Sequence, residues 1–354
     1  MKMRILIATV QVPFIKGGAE SHAEGLREAL CQAGHEAEIV AVPFKWYPPE
    51  RILDQMLACR LFDISEAAGV PIDLMIGLKF PAYLIPHQNK VLWILHQHRT
   101  AYDLWNHPLG DLKCWPWGRQ VRDAIRLADR TLIPQAKAVY ANSRNVAKRL
   151  QDFCGIKAKE LYHPPPHADS FFHASTGDYL FFPSRLSDLK RQALALIALA
   201  RTRNPIRLIF AGEADNPLYE RKLKRLANRL RLADRVEWRG RITEEDKREL
   251  YANCLAVVYP PLDEDYGYVT LEAMLSSKAV ITCNDSGGPL EFVVDRETGI
   301  ISAPTPDALA SAMDFMYESP NISAAYGKRG RERYEELDIS WDKVVRTLLS
   351  SGQR

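Results

Sequence analysis

Short apolar runs of strand length alternate with helical patterns along the whole chain, in two series separated by His163-Pro164-Pro165-Pro166-His167. Three consecutive prolines remove backbone donors and impose extended geometry, so no helix crosses this stretch and the interdomain linker is expected there. Before it, apolar runs lie at 4–8, 37–42, 72–76, 91–95 and 138–141, with a helical pattern through Ala23, Leu26 and Leu30 that Gly34 stops, and another at 146–153. After it come strand 179–183, helix 191–201, strand 207–211, helix 218–230, strand 235–238, helix 244–253, strand 256–259, helix 269–276 and strand 279–283. Buried parallel strands covered by helices give this pattern. The expected class is α/β: two tandem Rossmann-like doubly wound domains facing a central cleft, over 1–165 and 166–335. An amphipathic tail runs from 305 to 349, and its end, 336–354, is expected as a helix packing back toward the first domain.

Length and composition agree. At roughly 150 residues per domain, 354 residues supply about two. Hydrophobic residues at 47% and charged residues at 26% are ordinary for a globular chain and exclude disordered and fibrous classes. A net charge of +3 is too small for a bulk nucleic-acid binder, so no nucleic-acid partner is expected. The cysteines at 31, 59, 114, 154, 254 and 283 form no CxxC pair, which suggests neither a zinc ribbon nor a disulfide framework and fits a reducing cytoplasm. The longest apolar run, 193–200, falls far short of the roughly 20 residues a membrane-spanning helix needs. The apolar start lacks a small-residue cleavage site and reads as a first core strand.

In doubly wound sheets ligands bind beyond the carboxyl ends of the strands, so the chemistry is sought on those loops. The densest run is Tyr259-Pro260-Pro261-Leu262-Asp263-Glu264-Asp265-Tyr266-Gly267-Tyr268-Val269-Thr270-Leu271-Glu272-Ala273-Met274, where a loop leaves a strand and turns at Gly267 into a helix. Glu264 and Glu272 therefore fall on different elements. Each carboxylate accepts hydroxyl hydrogen bonds from a polyol, and backbone N–H groups at Gly267, Tyr268, Val269 and Thr270 attract a phosphate. Two glutamates at this spacing are common by composition alone; their neighbours give them weight. Upstream, Ser184-Arg185-Leu186-Ser187-Asp188-Leu189-Lys190-Arg191 follows a strand, and Arg185 and Lys190 are placed to converge on a diphosphate as fork and point charge. Downstream, Gly287-Gly288-Pro289 lets backbone approach a ligand.

In the first half, Lys16-Gly17-Gly18-Ala19-Glu20 precedes a helix whose amides would meet a distal phosphate or an acceptor, although the GxGxxG spacing of a dinucleotide site is absent. His96 and His98 end a strand, but no Asp-x-Asp motif or Cys/His cluster accompanies them, and no metal is expected. The loop 100–118 is rich in Trp, Pro, His and Gly and is read as a lip of the site. Arg119, Arg122, Arg126 and Arg130 recur at helical spacing near Trp105, Trp115 and Trp117, a set that would meet anionic lipid headgroups or, since Asp123 and Asp129 interrupt it, form a solvated helix face.

Taken in order, Gly17-Gly18, Arg185 with Lys190, Glu264 with Glu272, and Gly287-Gly288-Pro289 resemble the family 4 glycosyltransferases, tightly from 179 to 301 and loosely before 170. The resemblance implies the GT-B fold, a first domain that binds the acceptor and a second that binds the nucleotide sugar. It implies that Arg185 and Lys190 hold the donor diphosphate, Glu272 the ribose hydroxyls and Glu264 the transferred sugar, with backbone at 239–242, Arg241 included, facing the base. His96 matches the family's donor-side histidine, with His98 a neighbouring rival. The implied reaction retains anomeric configuration and needs neither metal nor cofactor. Its partners would be a UDP- or GDP-sugar and a glycan or lipid-linked acceptor, with peripheral contact at the inner face of the cell membrane. Asp265 stands where the family usually has glycine, and Tyr268-Val269 replaces its usual Leu-Pro, so donor identity is not carried over. A nucleotide-sugar epimerase on the same fold and a catalytically silent nucleotide- or glycan-binding subunit are the rival readings.

Overall fold

The computed structural model describes residues 2–15 and 17–352. The chain divides into two compact units, residues 1–166 with 339–354, and residues 167–338.

In unit 1 the elements run β1 (Arg4–Gln11), α1 (Gly18–Gln32), β2 (Glu36–Pro43), α2 (Glu50–Leu61), the hairpin β3 (Glu66–Ala67) and β4 (Val70–Pro71), β5 (Leu74–Gly77), β6 (Lys90–Ile94), α3 (Gly118–Leu132), β7 (Ala138–Ala141), α4 (Arg144–Cys154) and β8 (Lys159–Glu160). Apart from that antiparallel hairpin the strands pair in parallel, in the order β2-β1-β5-β6-β7-β8. Side chains alternate across a strand, and the two cores record it. Ile5, Ile7, Leu74, Ile76, Val91 and Trp93 turn to one face, under Leu26 and Leu30 of α1. Val10, Met75, Leu92 and Ile94 turn to the other, against Ile52, Val121, Ile125, Val146 and Leu150 of α2, α3 and α4.

Unit 2 holds β9 (Tyr179–Pro183), α5 (Gln192–Leu199), β10 (Arg207–Ala211), α6 (Pro217–Arg229), β11 (Val236–Trp238), α7 (Glu244–Asn253), β12 (Ala256–Val258), α8 (Tyr268–Leu275), β13 (Val280–Cys283), α9 (Pro289–Phe292), β14 (Gly299–Ser302), α10 (Pro306–Glu318) and α11 (Pro320–Glu336). The order β11-β10-β9-β12-β13-β14, all parallel, is the Rossmann order, with its switch point between β9 and β12. The remaining helix, α12 (Trp341–Gly352), belongs to unit 1, where Val344, Val345 and Leu348 complete the core over α1. Trp341 lies so close to α1 that a Cβ on Gly25 would come within 2.5 Å of its ring. The tail thus resolves into three helices, the last returned to the first unit.

Gly212, after β10, sits at φ +143°, and a Cβ there would fall 2.1 Å from the Ser184 carbonyl oxygen. Its N–H donates to the Gly240 carbonyl at 2.7 Å, so the backbone cannot move aside freely. Gly212→Ala is expected to destabilise unit 2 by about 2–3 kcal/mol through strain and overpacking, read as a lower urea midpoint for the unfolding step of that unit.

Candidate functional site

At the switch point of unit 2, the loops after β9 and β12 carry the charged groups. The chain leaves β9 through a short turn at Asp188–Lys190 and enters α5 at Arg191, which takes the left-handed conformation at φ +58°. Arg191 is fixed there by a bidentate pair with Asp285, 2.7 Å on each arm, which ties this loop to the one after β13. So anchored, Lys190 donates its ammonium protons to the Tyr259 hydroxyl at 2.9 Å and to the Glu264 carboxylate. The Glu264 backbone is pinned on both sides: its N–H donates to the Ser286 carbonyl at 2.9 Å, and its carbonyl accepts from Gly288 N–H at 2.8 Å. Burial, then the Glu264 charge, pushes the Tyr259 hydroxyl well above its usual pKa, while Arg185 acts the other way. The phenol therefore stays neutral beside the Lys190 cation.

Gly267, at φ +85°, turns the loop into α8, and only a residue without a Cβ adopts this readily. The first turn presents the N–H groups of Tyr268 and Val269. Thr270 is fully buried in that turn, and its hydroxyl has no hydrogen-bond partner among the described residues. Two residues on, Glu272 is 5% exposed and accepts from the Tyr251 hydroxyl at 2.7 Å and from Lys247 Nζ at 3.1 Å. Burial alone would lower the Lys247 pKa, but the Glu272 and Glu244 carboxylates outweigh it and raise it, so the cation persists. A carboxylate has about four acceptor positions, which leaves Glu272 capacity for a diol.

Arg185 extends from the same loop and pairs with Asp215 at 2.5 Å, both side chains largely exposed. Fork and point charge thus hold separate partners. Arg241 is 81% exposed, with one guanidinium nitrogen 3.9 Å from Glu213. The backbone beside it is built into the fold, Arg239 N–H donating to the Phe210 carbonyl at 2.9 Å, and Trp238 stacks on Phe210 at 4.7 Å. Sequence reasoning missed Arg191 with Asp285, and Lys247 and Tyr251 behind Glu272. An Arg-Gln step at a helix start and an Asp after a strand were the available signals for the first pair.

The expected residues of the first half, Gly17, Gly18 and His96, lie in unit 1. Lys16 lies outside the described residues. Gly17 N–H donates to the Glu20 carboxylate at 2.8 Å, so one amide of this helix start is already used. His96 is half-buried, and because a carbonyl only accepts, its contact of 2.7 Å with the Gln97 carbonyl puts the ring proton on Nδ1. His98 is half-buried: Phe80 and Phe44 pack at 5.5 and 6.2 Å, and burial, with the His96 charge second, lowers its pKa to about 4.

The stretch 100–118, expected as a lip of the site, is partly packed into its own unit. Tyr102, Leu104, Trp105 and Leu112 are buried within unit 1. Trp105 lies under the Arg122 guanidinium at 4.4 Å, and Arg122 also donates to the Ala101 carbonyl, so both belong to packing rather than to a lipid-facing set. Asp129 turns inward and accepts from the Tyr83 and Tyr102 hydroxyls at 2.8 and 2.7 Å. Trp115 and Trp117 do face solvent, at 43% and 60% exposure. Among the described residues no group of three or more His, Cys, Asp or Glu is placed to hold a metal ion, and no helix is long and apolar enough to cross a membrane.

Two doubly wound units of this topology, the second with its switch-point loops bearing paired cations and carboxylates, define the GT-B class. Residues 167–333, nearly all of unit 2, match the family of group 1 glycosyl transferases. The chain is 37% identical over 139 residues to the α-1,3/1,6-mannosyltransferase ALG2 of Dictyostelium discoideum, a match covering 38% of this chain and 33% of that protein. The chain thus spans about a third of the length of that curated relative. Its structure is similar to sucrose-phosphate synthase from Thermosynechococcus elongatus, with a TM-score of 0.80 at 18% identity over 99% of this chain and 98% of the other. It is also similar to HepE of Anabaena in complex with UDP-glucose, with a TM-score of 0.70 at 17% identity over 99% of each chain.

Proposed function

We propose that this chain transfers a sugar from a nucleoside-diphosphate sugar to a hydroxyl of a glycan or lipid-linked acceptor, with retention at the anomeric carbon and without a metal. The observation that carries the reading is the cluster at the unit 2 switch point. There a supported ammonium on Lys190 and the N-terminus of α8, with the unpartnered Thr270 hydroxyl, offer positive potential to a diphosphate. In the reaction, the bond from the anomeric carbon to the β-phosphate oxygen breaks, and a bond to the acceptor oxygen forms on the same face. The acceptor proton passes to a phosphate oxygen of the departing nucleoside diphosphate. Lys190 and Arg185 stabilise that leaving group, Glu264 holds the transferred sugar and Glu272 the ribose. Unit 1 holds the acceptor, with Gly17 and Gly18 at the start of α1, and its His96, after β6, serves as the donor-side histidine. Trp115, Trp117 and Arg119 are the residues through which unit 1 would touch an anionic membrane carrying a lipid-linked acceptor.

The named mannosyltransferase relatives and the UDP-glucose complex of HepE support a nucleotide-sugar donor. A melting-temperature panel with UDP, GDP, ADP and their sugars, with and without EDTA, tests it. One nucleotide is expected to raise the midpoint by several degrees, unchanged by EDTA, because a ligand bound to the folded state stabilises it by linkage. Glu272→Ala is expected to remove that rise. The product anomer, read by proton NMR, reports retention; no response to any nucleotide, or an inverted product, overturns the reading.

A further inference from the structure

A concavity lies wholly within unit 1, at the carboxyl edge of β1 and β2. It has a volume of about 590 Å³ and is lined by Val12, Phe44, Lys45, Trp46, Tyr47 and Arg51 among others, within the roughly 300–1,000 Å³ of small-ligand sites. Its wall is aromatic. Trp46 and Tyr47 meet edge to face at 5.2 Å, and Tyr47 is 51% exposed. Rigid aromatic faces supply large contact area at low entropy cost, and the axial C–H face of a pyranose is the matching surface.

The wall is also held in place. Phe44 N–H donates to the Gln11 carbonyl at 2.9 Å, and the Gln55 side chain accepts from Lys45 N–H at 2.8 Å. Phe44 packs against Phe80 and His98, so the pocket adjoins the β6 edge that carries His96. The charge is positive. Lys45 lies over the Tyr47 ring at 5.0 Å and has no carboxylate partner among the described residues, while Arg51 shares one arm with Asp54 at 2.9 Å. Two cations against one carboxylate leave one positive charge over an aromatic platform.

We infer that this pocket is a binding site for a sugar bearing an anionic group, phosphate or carboxylate, with the ring lying against the corner that Trp46 and Tyr47 form and the anion on Lys45 and Arg51. The inference rests on the glycosyl-transfer reading for its role: the occupant is the acceptor end of the reaction. A phosphorylated or uronic acceptor gains a charge-assisted contact that a neutral sugar lacks.

The test uses the full chain labelled with 5-fluorotryptophan, with the Trp46 fluorine signal assigned by its loss in Trp46→Phe. Glucose and mannose are each added as the free sugar, the 1-phosphate and the uronic acid. At least one charged form is expected to move the Trp46 signal saturably, five-fold or more tightly than its free sugar, and Lys45→Gln is expected to abolish that preference. Preference for the 1-phosphate identifies a phosphorylated unit, and preference for the uronic acid a carboxylated one. No Trp46 response to any sugar, equal response to neutral and charged forms, or a response to inorganic phosphate or UDP as strong as to the sugars overturns the inference. The nucleotide-induced rise in melting temperature reports on unit 2 separately, so a silent Trp46 with an intact nucleotide response sinks the pocket and leaves the donor site standing.

Discussion

Lys190→Ala is expected to lower kcat/KM for the nucleotide-sugar donor by about 10²–10³-fold, the range for removing one preorganised electrostatic group from a reacting centre. The wild-type ammonium is held by Tyr259 and Glu264, so it reaches the diphosphate without reorganising, and its loss leaves the Glu264 carboxylate without its cation where negative charge develops. Both effects raise the barrier. Lys190→Arg is not expected to rescue, because a planar fork cannot occupy the site of a compact ammonium against the Tyr259 ring, 5.4 Å away. The fold should persist: the loop backbone is held independently by Arg191 with Asp285, and the Lys190 side chain is not part of the apolar core. Steady-state kinetics beside a melting curve separate the outcomes. Near-full turnover in Lys190→Ala would remove Lys190 from the mechanism. A collapse of the melting temperature would reassign it to structure.

Much of this architecture was legible in the sequence, because a parallel sheet covered on both faces leaves continuous apolar runs that turn residues punctuate. Strand 207–211 coincides with β10, and 72–76 differs from β5 by its entry, since Ile72 is buried beside the β3–β4 hairpin rather than in the ladder. That hairpin was not seen; four residues in two pairs have no period to read. The helix expected at 191–201 is shorter, at 192–199, because Arg191 is left-handed and the last turn unwinds near Thr202. At the site, Lys190, Glu264 and Glu272 could be named because they sit next to turn and helix-start signals. Lys247 and Tyr251 could not: their carboxylate partner is 25 and 21 residues further on, and only the folded packing of α7 against α8 supplies the pairing. Trp105 and Arg122 show the converse error. Helical spacing put the arginine on a polar face, and tertiary packing turned it onto the indole.

Acidification should unfold unit 1 before unit 2. Three histidines of unit 1 are held neutral, His22 and His163 buried and His98 half-buried. Burial lowers the His22 pKa to about 3, and neither ring nitrogen of His22 has a hydrogen-bond partner among the described residues. It lowers His98 to about 4, and His163 well below its ordinary value. His22 packs among Trp93, His163 and Trp341 at 4.2, 4.1 and 6.2 Å, so a proton there would charge the seam that holds α12. Each folded-state value lies below the unfolded one near 6.5. As pH falls below 6.5 the unfolded chain therefore binds protons that the folded chain refuses, and stability drops by about 1.4 kcal/mol per pH unit for each histidine. Asp129 works against this. Burial raises its pKa to about 6 from 3.8, so between those values the folded state binds the extra proton and gains stability on acidification. Three groups against one leave a net loss of about 2–3 kcal/mol per unit between pH 6 and 4. In unit 2 the histidine with a lowered pKa, His173, is exposed, and its linkage is screened. Two-step urea unfolding at pH 7, 6 and 5, followed by fluorine signals of Trp341 in unit 1 and Trp238 in unit 2, should show the first midpoint falling much faster than the second. His22→Phe should flatten the first slope by about half, and Asp129→Asn should steepen it. Parallel shifts of both midpoints would mean that the buried histidines are protonated in the folded chain.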